Sequence, residues 1–167
     1  IPGLVSFLVA HLFYVALFKG GQHWFPHRGA LAATLGVGAA MYAFLWAGGL
    51  PLGLRAPVAA YVLVIALMAA QALGRATVLR DAPSLLVALG AGFFMLSDSL
   101  LATNRFVTPL PGSQVWVLGT YYAAQALIVS GWLAGLAHSS AAQRAVKGEA
   151  RANTPMDSNR ETAARPS

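Results

Sequence analysis

Apolar residues run along this chain in five long stretches, separated by short connections rich in Gly, Pro and polar residues. A helix that crosses the hydrocarbon of a bilayer needs about 20 mainly apolar residues, because every backbone N–H and C=O must be satisfied within the segment. The stretches run from about Pro2 to Phe18, Ala30 to Ala47, Ala56 to Leu73, Ser84 to Thr103 and Val115 to Ala137. The first is short for a complete span. The pattern predicts an all-α, polytopic transmembrane helix bundle over residues 1–138, with about five spans. The connections KGGQHWFPHRG, GGLPLGLRAP, GRATVLRDAP and NRFVTPLPGSQ all carry helix breakers, and their shortness predicts that successive helices pack antiparallel. From Ser139 the sequence turns polar and mixed in charge, so residues 139–167 are expected to form a disordered cytoplasmic tail. No internal repeat is visible.

Composition strengthens the membrane reading. Hydrophobic residues make up 57% of the chain and charged residues 10%, against about 25% charged in a soluble domain. The net charge of +6 would suggest nucleic acid in a soluble protein, but here the bases lie between apolar runs or in the tail. They report topology, and no nucleic-acid partner is expected. Lys19, Arg28, Arg75, Arg80 and the tail bases fall on one side, Arg55 and Arg105 on the other. The positive-inside rule makes the heavier side, with the C-terminus, cytoplasmic. The expected location is thus an integral, multi-pass position in a bacterial cytoplasmic membrane. Trp24, Phe25, Trp46 and Trp116 lie near predicted helix ends, where rings can anchor among headgroups. Ile1 is not an initiating methionine, and the chain reads as a fragment. The absence of Cys excludes disulfides and thiolate chemistry.

The acidic residues are Asp81, Asp98, Glu149, Asp157 and Glu161, and of these Asp98 alone falls within a predicted span. An intramembrane carboxyl is costly to keep and marks either a functional group or a packing partner. At 1.5 Å per residue, Asp98 lies about 9 Å inward from its helix end near Asn104, and Tyr121 is at about the same depth on the last helix. Tyr121 and Gln125 share a face, so their polar atoms are candidates to meet Asp98. His11 and Tyr14 share a face of the first helix, and Tyr61 enters its helix at a depth similar to Asp98. His11 fits a packing role or a site role. Asn104 and Arg105 lie just beyond the Asp98 helix, where Arg105 is either an interfacial anchor or a partner for phosphate. His23 and His27 have a spacing that could bind metal on a helix, but Pro26 disfavours one, and no metal site is expected. Ser97 points to a different face from Asp98, and no nucleophile elbow is present. Gly36 with Ala40, and Gly90 with Phe94, are small-residue positions where helices could approach closely.

The run GAGFFMLSDSLLATNRF (90–106), followed by YYAAQALIVSG (121–131) and preceded by AHLFY (10–14), resembles the YhhN or lysoplasmalogenase family of membrane proteins. The resemblance extends from Ile1 to about Leu136. It implies hydrolysis of the vinyl ether bond of lysoplasmalogens, releasing a fatty aldehyde and a glycerophospho-amine. It also implies Asp98 as the catalytic carboxyl, with His11, Tyr14, Tyr61, Ser97, Asn104, Arg105, Tyr121, Tyr122 and Gln125 as substrate-binding or polar support. The implied partners are a lysophospholipid with a vinyl ether chain and membrane lipids; no cofactor is implied, and oligomeric state is left open. The family typically has eight transmembrane helices and a Gly-Asp motif in its earlier ones. This chain therefore looks like the C-terminal part, with no second carboxylate to accompany Asp98. A non-catalytic scaffold or small-solute carrier that uses Asp98 for packing or coupling is the alternative.

Overall fold

The computed structural model describes residues 2–19 and 23–152, apart from the side chains of residues 2–5, 7, 8 and 152. The described residues form five α-helices and no strand: α1 (Pro2–Lys19), α2 (Arg28–Ala47), α3 (Leu52–Leu79), α4 (Ala82–Phe106) and α5 (Ser113–Ala152). Local chemistry sets the helix starts. His27 caps α2 by accepting from the Ala30 N–H at 3.0 Å, and Asp81 caps α4 by accepting from the Ser84 N–H at 2.8 Å. Helices α3 and α4 outrun their apolar windows because the flanking Leu, Arg and Ala residues favour helix. Four segments, Arg28–Ala47, Leu52–Leu79, Ala82–Phe106 and Ser113–Arg151, are long and apolar enough to cross a membrane. The apolar stretch Val9–Lys19 of α1 is shorter. The architecture is that of an integral, multi-pass helical membrane protein.

Two compact units are present, residues 1–133 and 134–167. In the first, α3 is the central post, packing against α1, α2 and α4. Its buried face includes Ile65, Ala66, Met68, Ala69, Ala70 and Ala72. Met68, Ala69 and Ala72 meet Phe18, Val87, Ala91, Phe94, Ala124 and Ile128 in one core. A second, smaller core joins Leu45, Leu50 and Val58, flanked by Ala102, Phe106 and Val107. Outward-facing apolar side chains such as Phe13, Leu63, Leu89 and Leu133 are exposed, as lipid solvation allows.

Turn contacts show the antiparallel order. The α2–α3 turn meets the end of α4, since a Cβ added to Gly48 would lie 2.5 Å from Val107 Cγ2. At the opposite end, the α1–α2 connection reaches the end of α3, where a Cβ on Gly74 would lie 3.2 Å from Pro26.

In the second unit, Leu136–Arg151 are exposed and helical. Residues 139–152 thus depart from the disorder expected of them, because the run AAQRAVKGEARA is rich in strong helix formers. The rest of that tail lies outside the described residues.

The small-residue expectations divide. Gly36 faces open space, and its neighbour in register, Ala40, is exposed. Gly38 instead makes the α2–α3 approach, with Val62 Cγ1 3.2 Å from where its Cβ would be. Gly90 admits α5 closely: a Cβ there would lie 2.7 Å from Ile128 Cγ1 and 2.9 Å from the Ala124 carbonyl oxygen. We expect Gly90→Ala to destabilise the bundle by about 1–3 kcal/mol through overpacking against backbone. Gly92→Ala, which meets nothing within 4 Å, should be neutral or slightly stabilising. Thermal unfolding of both variants in detergent checks the contrast.

Candidate functional site

On α3, Leu54, Pro57, Val58, Tyr61, Val62 and Ile65 recur at helical spacing and present one stripe. That stripe floors a cavity of about 470 Å³, with Val37, Gly38, Met41 and Leu45 of α2 as one wall. Met95, Asp98, Ser99, Leu101, Ala102, Arg105 and Phe106 of α4 form the other wall. The lining is apolar apart from a few groups, among them Tyr61, Asp98, Ser99 and Arg105.

Tyr61 donates a hydrogen bond to Asp98 Oδ2 at 3.0 Å. In a medium without water this contact satisfies part of a carboxyl that would otherwise be left bare. The Tyr61 ring also lies edge-on to His11, with centroids 5.7 Å apart. His11 is 1% exposed, so it sits in the interior. It packs edge-on against Phe94 at 4.6 Å and Tyr14 at 6.2 Å. From Tyr14 the line continues to α5, where its hydroxyl donates to Gln125 Oε1 at 3.2 Å. The cavity and this row of polar rings meet at the Tyr61–Asp98 pair.

Two cations lie at the cavity's Arg105 end, and their surroundings differ. Arg55 is committed: its guanidinium stacks 4.0 Å over the Trp46 ring, and its Nε donates to the Leu50 carbonyl at 3.3 Å. Its own carbonyl accepts from the Tyr42 hydroxyl at 3.2 Å. Arg105 is exposed, lines the cavity, and has no hydrogen bond, ion pair or ring contact among the described residues. A free guanidinium about 10 Å along α4 from a carboxyl gives this cavity a cationic end and an acidic middle.

The model of the YhhN family matches residues 1–132. The chain belongs to the YhhN family. It is 33% identical over 128 residues to the lysoplasmalogenase TMEM86B of Homo sapiens, covering 77% of this chain and 51% of that protein. The TMEM86B lysoplasmalogenase of Mus musculus is 37% identical over 127 residues, covering 76% and 51%. The lysoplasmalogenase of Mycobacterium tuberculosis is 31% identical over 137 residues, covering 80% and 51%. This YhhN chain therefore spans about half the length of the relatives it matches. No solved structure matches it.

The candidates named from the sequence fall into three groups in this YhhN protein. Tyr61 is brought onto Asp98, and Arg105 lines the same cavity. His11, Tyr14 and Gln125 form the adjoining polar row, so Gln125 is engaged by Tyr14 rather than by Asp98. Tyr121 likewise turns away from the carboxyl and packs edge-on to Phe94, with centroids 5.8 Å apart. The remainder are structural by position. The Ser97 hydroxyl donates to the Val117 carbonyl at 3.0 Å, joining α4 to α5. Asn104 Oδ1 accepts from the Leu110 N–H at 2.8 Å and orders the α4–α5 turn. Tyr122 is 64% exposed and faces outward. His27 is spent on its cap, and the His23 carbonyl accepts from Gln71.

Gln71 was not singled out by its sequence surroundings, yet it is fully buried. Its amide accepts from the Phe25 N–H at 2.8 Å and donates to the His23 carbonyl at 3.3 Å, fastening the α1–α2 connection to α3. The signal available was a lone amide within the apolar run LMAAQALG. For the Tyr14–Gln125 contact, a double-mutant cycle with Tyr14→Phe and Gln125→Leu should give a coupling of about 0.6 kcal/mol, typical of interhelical hydrogen bonds in membranes. Unfolding of the four proteins in mixed micelles measures it, and zero coupling would place the bond outside the folded state.

Proposed function

We propose that this protein hydrolyses the vinyl ether bond of lysoplasmalogens, with Asp98 as the catalytic acid and Arg105 as the phosphate partner. The observation that carries the reading is the Tyr61–Asp98 pair in an apolar cavity that also holds an uncommitted guanidinium at one end. Relatives named lysoplasmalogenase in Homo sapiens and Mycobacterium tuberculosis support the reaction class.

The chemistry needs a proton at carbon. Asp98 delivers its proton to the β-carbon of the enol ether, which leaves an oxocarbenium centre on the carbon bonded to oxygen. Water adds to that carbon and returns a proton to the Asp98 carboxylate. The resulting hemiacetal collapses as its hydroxyl proton moves to the glycerol oxygen, breaking the C–O bond and releasing aldehyde and glycerophospho-amine. One water is consumed, and the carboxyl ends as it began. Tyr61 acts as a positioning residue that fixes the carboxyl through Oδ2 and leaves Oδ1 to carry the transferred proton. The carboxylate formed after transfer lies beside the cation it has created, which stabilises it without a second acid.

The spacing suits the substrate. The reacting carbon and the phosphorus of a lysoplasmalogen are separated by a glycerol backbone, and Asp98 and Arg105 are two helical turns apart, about 10 Å. In this reading the Arg105 end faces outward and the C-terminus lies in the cytoplasm, as the excess of Lys19, Arg28, Arg75 and Arg80 at the other end supports.

Asp98→Asn should lower aldehyde release by at least about 10²-fold, the usual contribution of a positioned general acid, while leaving membrane insertion intact. The assay uses protein expressed from its complete reading frame and purified in detergent. Retained turnover in that variant would exclude Asp98 as the acid and favour a packing role in a non-catalytic membrane protein. Arg105→Gln should raise KM by about 10- to 100-fold with kcat nearly unchanged, as expected for a charge-assisted contact worth about 1.5–3 kcal/mol in ground state and transition state alike. Steady-state kinetics in mixed micelles separates the two parameters.

A further inference from the structure

The cavity is not closed on its lipid-facing side. Val37 on α2 and Leu101 on α4 both line it, yet they are 57% and 51% exposed. They therefore mark two exposed lips of the cavity, one on α2 and one on α4, helices that both pack on α3 and touch each other over only a short stretch. Val37 lies about 14 Å from either end of α2, which puts this lip near the middle of a span. Leu101 lies one turn from Asp98 on α4. Towards the Arg105 end the opening is bounded by packed structure, where Val107 fits against Gly48 and the core of Leu45, Leu50 and Val58 joins Phe106. An apolar chain that leaves the cavity past Val37 and Leu101 thus passes sideways into hydrocarbon, while a charged group at Arg105 remains at the interface.

We infer that the gap between Val37 and Leu101 is a lateral entrance through which a single-chain phospholipid passes from the bilayer into the cavity, headgroup at Arg105 and far end of the chain still in lipid. This rests on the hydrolase reading for the identity of the substrate, but the entrance has its own observable. Both lips are apolar, which suits a hydrocarbon chain and repels a soluble substrate. The chain needs no full enclosure, because the bilayer solvates whatever the cavity does not hold.

These 167 residues contain no cysteine, so, with any cysteine elsewhere in the reading frame replaced by Ser, a Val37→Cys, Leu101→Cys pair can be bridged selectively with bis-maleimides that contain a disulfide spacer. Two readouts are taken in proteoliposomes: aldehyde release from a vinyl ether lysophospholipid, and saturable binding of a fluorescent alkyl ether lysophospholipid that cannot be hydrolysed. We expect the bridged protein to lose binding and turnover at least tenfold relative to the same double-cysteine protein before bridging, and reduction of the spacer to restore both. Undiminished binding in the bridged protein overturns the entrance. So does failure of the unbridged protein to bind the alkyl ether lipid, or of spacers as wide as one alkyl chain to join the two lips. Binding that is blocked by the bridge without aldehyde release from any form would uphold the entrance and sink the hydrolase reading.

Discussion

Hydrocarbon offers no hydrogen bonds, so each polar atom carried into the bundle must find its partner within the chain. Several of the described side chains meet this demand by pairing across helices or with backbone. Tyr61 reaches Asp98 between α3 and α4, Tyr14 reaches Gln125 between α1 and α5, and Ser97 reaches the Val117 carbonyl between α4 and α5. Gln71 does the same for the backbone of the α1–α2 connection. Each contact serves packing and position at once. Association in lipid gains little from apolar burial, so such bonds and close small-residue contacts at Gly38 and Gly90 decide which helices meet.

The central place of α3 follows from this constraint and gives the site its form. One of its faces carries the small residues Ala66, Ala69, Ala70 and Ala72 into the packed interior. Another carries Leu54, Val58, Tyr61 and Ile65 to the cavity floor. Tyr61 lies where these surroundings meet and touches both the His11 ring and the Asp98 carboxyl. The acid is thus held by a residue anchored in the interior and stays on the wall of an accessible space.

Much of this was legible in the sequence. Length and apolarity defined the helices, because the bilayer thickness leaves few alternatives. Asp98 stood out because a carboxyl within an apolar run is costly, and the match in depth between Tyr61 and Asp98 is a matter of helical rise alone. Azimuth was less accessible. Depth arithmetic put Tyr121 level with Asp98 and Gln125 on the same face one turn away, but their directions depend on the rotation of α5, where Gly90 lets Ile128 approach. Gln71 was hidden for a related reason, since its partners are backbone atoms of a connection and backbone leaves no compositional trace. The difference between Arg55 and Arg105 likewise needed the Trp46 ring in place. The exposed helix at 139–152 shows the reverse case, in which low hydrophobicity indicated exposure but intrinsic propensity decided the backbone.

The contact of Val107 with Gly48 ties the two cavity walls together at the Arg105 end. The interval between Arg105 and Asp98, both on one continuous helix, is set by helical rise and not by how closely α2 and α4 approach. Helix α4 is thus a ruler between a charge and an acid, graduated by backbone geometry rather than by the packing of either wall.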